Sequence, residues 1–340
     1  GPYKRRDPAT TGKRMILVTG GAGFIGSNIV AALADRGEEV VVCDRLRSDG
    51  KWRNLAKHLV AELVAPEALA AWLGRAPRLR AIVHMGAISA TTERDGDLTA
   101  ATNITLSLAL WEWCAAQAVP LIYASSAATY GDGTAGFDDD ASPAALARLR
   151  PLNLYGWSKH AFDRRVADLI ARGRPRPPHW AGLKFFNVYG PNEYHKGPMI
   201  SVVKRKADEI AAGNPATLFR SHRADIPDGH QARDFIWVGD CVDVVLWLLD
   251  HPHASGLYNV GTGRARTYVD LARAVFAAMN RAPEISFVDT PEHLRAQYQY
   301  FTQARMERLR AAGYDRTFTP LEDGVATYVR DFLLAEDPYR

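Results

Sequence analysis

Val18-Thr19-Gly20-Gly21-Ala22-Gly23-Phe24-Ile25-Gly26 is the stretch that decides the fold. Residues 15–19 before it form a short apolar run, as a buried strand does, and residues 28–36 after it carry helical patterning. Glycines between the two let the chain turn sharply. They also leave the backbone bare where a pyrophosphate can approach free N–H groups at the positive end of a helix dipole. A second apolar run at 39–43 ends in Asp44, so strand, helix and strand fit within about thirty residues. A bare GxGxxG is weak evidence. Here it follows a strand, opens a helix and is answered by an acid about twenty residues on, which is the arrangement of a dinucleotide site.

Outward from this unit, apolar runs at 81–84, 121–124 and 183–188 alternate with helical stretches at 101–117 and 157–170. Alternation of this kind predicts an α/β fold with a doubly wound parallel Rossmann sheet covered by helices on both faces. Past Gly190-Pro191 the pattern loosens into loops and amphipathic helices at 202–212 and 269–279, read as a smaller, mostly C-terminal substrate lobe. The expected dinucleotide domain covers residues 13–189, with 234–262 and about 299–310 returning to it. The lobe takes 190–233, 263–298 and 311–335. Residues 1–12 read as a tail, and 138–140 and 172–178 as exposed loops.

Composition narrows the function classes. With 42 Lys+Arg against 38 Asp+Glu, and the excess in short blocks such as Lys4-Arg5-Arg6, there is no basic stripe for nucleic acid. Cys43, Cys114 and Cys241 are an odd count without metal-ligand spacing, Cys43 and Cys114 fall in apolar stretches that read as core, and a reducing compartment fits best, so no metal site is expected. Residues 101–128 carry Glu112 as their one charge, yet Pro120 divides them into a helical half and a strand half. No membrane partner is expected. Gly1-Pro2-Tyr3 has no apolar signal-peptide core, and the expected location is cytoplasmic.

Two signals conflict over the cofactor. Asp44 suits a ribose 2′-hydroxyl, whereas Arg45, Arg47 and Lys51 would welcome a 2′-phosphate. The cations favour NADP, with NAD as the alternative. Tyr155-Gly156-Trp157-Ser158-Lys159 sets Tyr and Lys four apart, on one face of a helix. A free phenol has a pKa of about 10, so acting as a base near neutrality requires stabilising the phenolate by about 4 kcal/mol. An adjacent ammonium and an oxidised nicotinamide would supply this. The pair follows Ser125-Ser126-Ala127-Ala128-Thr129-Tyr130 at the end of a strand, where doubly wound sheets place ligands.

With these motifs in that order, the chain resembles the extended short-chain dehydrogenase/reductase family, whose triad is Ser or Thr, Tyr and Lys. The resemblance implies Ser126, Tyr155 and Lys159 as that triad, with Ser125 structural. Within the superfamily the chain is most similar to the ADP-L-glycero-D-manno-heptose 6-epimerases. The likeness lies in residues 20–30 and 123–131, in Phe186-Asn187-Val188-Tyr189-Gly190-Pro191, in His195-Lys196-Gly197, and in Phe301-Thr302-Gln303 with residues 309–315. It implies inversion at C6 of a nucleotide-linked heptose, by oxidation to a ketone and return of the hydride from tightly held NADP. Because one fixed group serves one orientation of the alcohol, a second proton handler is required, and the family's lysine matches Lys196.

By the same resemblance, Gly20, Gly23, Phe24, Ile25, Gly26, Asp44, Arg45 and Lys51 hold the cofactor. Met85, Gly86, Ala87, Ile88, Asn103, Tyr155, Lys159 and Val188 line the rest of its site. Ser126, Asn187, Lys196, Phe219, Arg220, Ser221, Arg233 and Tyr298 face the substrate, with Arg233 on the diphosphate and a domain-bridging salt bridge as its alternative role. A nucleotide-sugar substrate and a homo-oligomer are expected. The chain departs from the pattern at Met85, where an acid is expected, at Pro198, and in the longer loop 221–231. Other readings are a UDP-sugar 4-epimerase, a dehydratase or reductase of the same family, and an NADP-binding sensor without turnover. Ala127-Ala128 after Ser126 disfavours the dehydratase, which calls for an Asp-Glu pair there.

Overall fold

Short runs rich in Val, Ile and Leu build the centre of the molecule, whose computed structural model describes residues 14–296 and 298–340. The tail read at 1–12 lies outside the described residues. The runs are β1 Met15–Thr19, β2 Val40–Cys43, β3 Glu62–Val64, β4 Leu79–His84, β5 Leu121–Ser126, β6 Trp180–Phe185 and β7 Gly256–Val260. They pair in parallel in the order β7-β6-β5-β4-β1-β2-β3. β2 and β6 are buried along their whole length, which for a parallel sheet requires helices on both faces. Strand order reverses between β1 and β4. The carboxyl ends of the strands at such a reversal are the place where doubly wound sheets bind ligands.

Helices α1 Phe24–Asp35, α2 Leu106–Gln117, α3 Leu154–Ala171 and α4 Val238–Asp250 are among those that cover the sheet. α2 stops at Ala118, whose φ of 54° is left-handed, and Pro120 separates it from β5. The apolar stretch 101–128 is therefore a wide turn, a helix and a strand. No helix among the described residues is long and apolar enough to cross a membrane. α3 begins before the expected residue 157 because the Asn153 side chain accepts the Gly156 N–H at 2.8 Å, capping the first turn.

Two apolar cores divide the chain. Val203, Leu218, Val269, Val275, Leu321 and Val325 fill the second, between helices Val202–Ala211 and Tyr268–Ala278 and the strand pair Ala216–Phe219 with Ile285–Val288. The packing departs from the expected boundaries in three places. Tyr189 and Phe235 pack in the second core, while Tyr314 and Phe318 join the first, where Tyr314 meets the edge of Trp247 at 5.6 Å. The acidic run 138–140 is not simply an exposed loop. Asp139 is buried because its carboxylate accepts the Asn259 N–H at 2.7 Å and pairs with Arg308 at 3.0 Å, tying the loop to β7.

Candidate active site

The glycine turn after β1 and the turn after β4 touch each other. Gly20 has a φ of 63°, and a Cβ there would lie 2.6 Å from the Gly86 nitrogen. Gly23 stands at the N-cap of α1 with no side chain closing the first turn, so N–H groups remain for a pyrophosphate. These features fit a dinucleotide. Asn103 lies in a wide π-type turn over Ala101–Thr105, and its amide spans the Ile88 N–H and C=O at 2.9 Å each and donates to Ser158 Oγ at 3.0 Å. Its polar atoms are thus engaged in holding the Met85–Ile88 wall. At the end of β2, Asp44 accepts from the Ala22 N–H at 2.9 Å, the Arg45 N–H at 2.7 Å and the Lys51 ammonium at 2.8 Å. The Arg45 guanidinium pairs with Glu67.

Tyr155 and Lys159 both turn toward the carboxyl end of β5. Lys159 Nζ donates to the Ala124 carbonyl at 2.8 Å, and the Ser126 hydroxyl acts on the Tyr155 phenol. Burial lowers the Lys159 pKa to about 8, with Asp163 opposing. Burial likewise raises the Tyr155 phenol, with Ser126 opposing. The chain by itself therefore makes the phenol a weaker acid than the spacing to Lys159 leads one to expect, because desolvation dominates. Ser125 is engaged elsewhere: its hydroxyl donates to Asp163 at 2.6 Å, and Tyr123 donates to the same carboxylate at 3.2 Å. His84 is buried, bonded to Thr19 at 2.5 Å and Ser107 at 2.9 Å, and burial drives its pKa down to about 3. It is a packed neutral side chain.

Lys196 comes from a different direction. Its ammonium lies 5.2 Å over the Phe24 ring of the glycine turn, partly buried, with its pKa lowered by desolvation and raised by Glu193. Tyr155 thus belongs to the β5 side of the sheet and Lys196 to the glycine turn after β1, with β4 between those two strands. In the second lobe Arg233 is buried, with its guanidinium 5.3 Å over Tyr298 and 5.5 Å over Tyr268, and no carboxylate pairs with it among the described residues. Phe219 meets the Tyr298 ring at 6.3 Å. The alternative of a salt bridge at Arg233 is not what is seen. Asn187 is exposed and Val188 half-buried on a short strand paired with Phe235–Trp237. Arg220 and Ser221 are drawn elsewhere: Arg220 pairs with Asp289 at 3.5 Å, and Ser221 bonds within its own loop to Asp228 and Arg223. No group of His, Cys, Asp or Glu able to hold a metal ion occurs among the described residues.

The family model described as NAD dependent epimerase/dehydratase matches residues 16–261. The chain belongs to this family. It is 50% identical over 329 residues to a protein of Nitratidesulfovibrio vulgaris (strain DP4) named ADP-L-glycero-D-manno-heptose-6-epimerase, covering 96% of this chain and all of the relative. A protein of the same name from Fusobacterium nucleatum is 42% identical over 335 residues, with 96% of this chain and all of the relative covered. Among solved structures, the Helicobacter pylori ADP-L-glycero-D-manno-heptose-6-epimerase superposes with a TM-score of 0.76 at 28% identity, over 94% of this chain and 96% of that one. Thermus thermophilus UDP-glucose 4-epimerase in complex with NAD gives 0.71 at 28% identity, over 92% and 96%.

For a member of this family, the residues that sequence reasoning missed are those that hold the Lys196 segment. Glu193 is fully buried and accepts from the Ser201 hydroxyl and the Tyr328 hydroxyl at 2.7 Å each. Asn192 donates to Ser27 at 3.0 Å, and Asn28 to the Pro191 carbonyl at 3.0 Å. Asn54, also buried, reaches Ala22 and His195. These contacts link residues far apart in sequence and form no local pattern.

Proposed function

We propose that the chain inverts C6 of an ADP-linked glycero-manno-heptose, using bound NADP. The observation that supports the reading is that Tyr155 stands with Ser126 at the carboxyl end of β5 while the Lys196 ammonium lies over Phe24 of the glycine turn, which suits two proton-handling roles. Relatives at 42–50% identity that carry the heptose epimerase name supply the substrate. When bound, the oxidised nicotinamide supplies a positive ring charge and a reversible hydride acceptor. Tyr155 removes the hydroxyl proton in one orientation of the substrate, steadied by Ser126 and the Lys159 ammonium. Once the carbonyl has presented its other face, Lys196 delivers a proton to the oxygen there, and with the hydride restored to C6 there is no net redox change. Arg233, held between two tyrosine rings without a carboxylate, suits the diphosphate.

Support for NADP over NAD comes from Asp44, whose oxygens already hold two backbone N–H groups and Lys51. That leaves the carboxylate poorly placed for a ribose hydroxyl and brings a cation to the rim. The buried, free thiols of Cys43, Cys114 and Cys241 fit a reducing, cytoplasmic location. The test is incubation with ADP-heptose and NADP followed by NMR, with UDP-glucose as a parallel substrate. Conversion to the C6 epimer without net NADPH supports the proposal. Loss of water, or turnover of UDP-glucose alone, removes it.

A further inference from the structure

The Lys196 segment has little regular structure to fix it. Its short helical turn Tyr194–Met199 is interrupted at Gly197, which has a φ of 56°, and Pro198 follows. On one side Glu193 fastens it to the second lobe through Ser201 and Tyr328. On the other side stands the one-turn helix Lys51–Leu55, which carries Lys51 on the Asp44 side and Asn54 on the Lys196 side. The Asn54 amide nitrogen lies 2.8 Å from the Ala22 carbonyl in the glycine turn, 3.2 Å from the Asn192 carbonyl and 3.3 Å from His195 Nδ1. Two amide protons are shared among these three acceptors. Ala22 is two residues from Phe24, the ring under the Lys196 ammonium, and His195 directly precedes Lys196.

We propose that Asn54 is a positioning residue for Lys196, its amide fastening the lysine's segment to the glycine turn so that the ammonium stays over the Phe24 ring. The inference rests on the role given to Lys196 above. Without the amide, two buried carbonyls and an imidazole nitrogen lose a donor, and on the glycine-turn side the chain is then held only before Glu193, by Asn192 on Ser27 and Asn28 on the Pro191 carbonyl, with no direct hold on His195. The ammonium then swings toward water. A displacement of about 1 Å from the reacting position lowers turnover on the order of 10²-fold. The charged and titratable groups facing this segment are Glu193, His195, Lys51, Asp49 and Asp44, none of which the substitution removes.

The test combines Asn54→Ala with ¹³C-labelled lysine NMR and a double-mutant comparison. In the wild type the Lys196 signal titrates below the ordinary range, and in Asn54→Ala it moves toward about 10.4 while NADP affinity is kept. On ADP-heptose, Asn54→Ala lowers kcat on the order of 10²-fold in the wild-type background and by less than about twofold in a Lys196→Ala background. An unchanged Lys196 titration in a folded variant, or losses that multiply in the double mutant, overturns the proposal. If Asn54→Ala fails to fold, Asn54→Ser, which keeps one donor, carries the same two readouts. If the wild type does not turn over ADP-heptose, the functional reading fails, and the titration alone still decides whether Asn54 places Lys196.

Discussion

Lys159 and Lys51 are the residues at which charge is most open to test. Burial lowers the Lys159 pKa to about 8, below the ordinary lysine value, so its ammonium is present below that pH and lost as pH rises through it. In the proposed mechanism the Tyr155 phenolate loses its supporting cation over the same interval. We therefore expect kcat/KM to fall by about tenfold per pH unit above about 8, measured as a pH profile of the free enzyme. A flat profile to pH 10 would show that the ammonium is not used. At the other end of the site, Lys51 stands on Asp44 at the end of β2. A charge-assisted hydrogen bond from it to a 2′-phosphate contributes about 1.5–3 kcal/mol. Lys51→Ala should weaken NADP roughly 10- to 100-fold in a fluorescence titration and leave NAD nearly unaffected. Both lysines stand out in the sequence as candidates, Lys159 by its spacing from Tyr155 and Lys51 among the cations that follow Asp44. The direction of the Tyr155 shift does not, because desolvation depends on what packs around the ring.

Among the elements, the junction of β5 with α3 carries the site. Asp163 on α3 receives Ser125 and Tyr123 from β5, and it lies 3.8 Å from Lys184 of β6, with both side chains fully buried. Lys184 also donates to Thr129 at 3.0 Å and lies 4.4 Å over the Tyr130 ring. Asp163→Ala leaves that buried ammonium without a carboxylate, so about 3–5 kcal/mol of stability should be lost in urea unfolding. A loss under 1 kcal/mol would show that the cluster does not fasten helix to strand. The strands and helices themselves were readable, since hydrophobic period and glycine placement are local. Helix α3 began earlier than its apolar pattern because an Asn cap, a polar side chain with no period, set its start. Asp139 ran the opposite way: an acid in an acidic run reads as solvated, and only its distant partners Asn259 and Arg308 reveal the burial.

Across the whole molecule, two apolar cores organise the chain, one around the parallel sheet with its glycine turn and one in a lobe where Arg233 and Phe219 lie against Tyr298. The glycine turn, the Tyr155–Lys159 pair and the alternation of strands and helices were enough to read the Rossmann sheet from sequence. Tyr314 and Phe318 returning to the first core, and Asn54 reaching His195, were not readable, since such contacts join segments with no shared local pattern. The central proposal is that Tyr155 acts on the substrate hydroxyl while the glycine turn holds the dinucleotide independently. Its most direct measurement pairs turnover with NADP affinity in Tyr155→Phe. Removal of the phenol hydroxyl should lower kcat about 10²- to 10⁴-fold and leave the NADP Kd within about twofold of wild type. Turnover unchanged in that variant would contradict it.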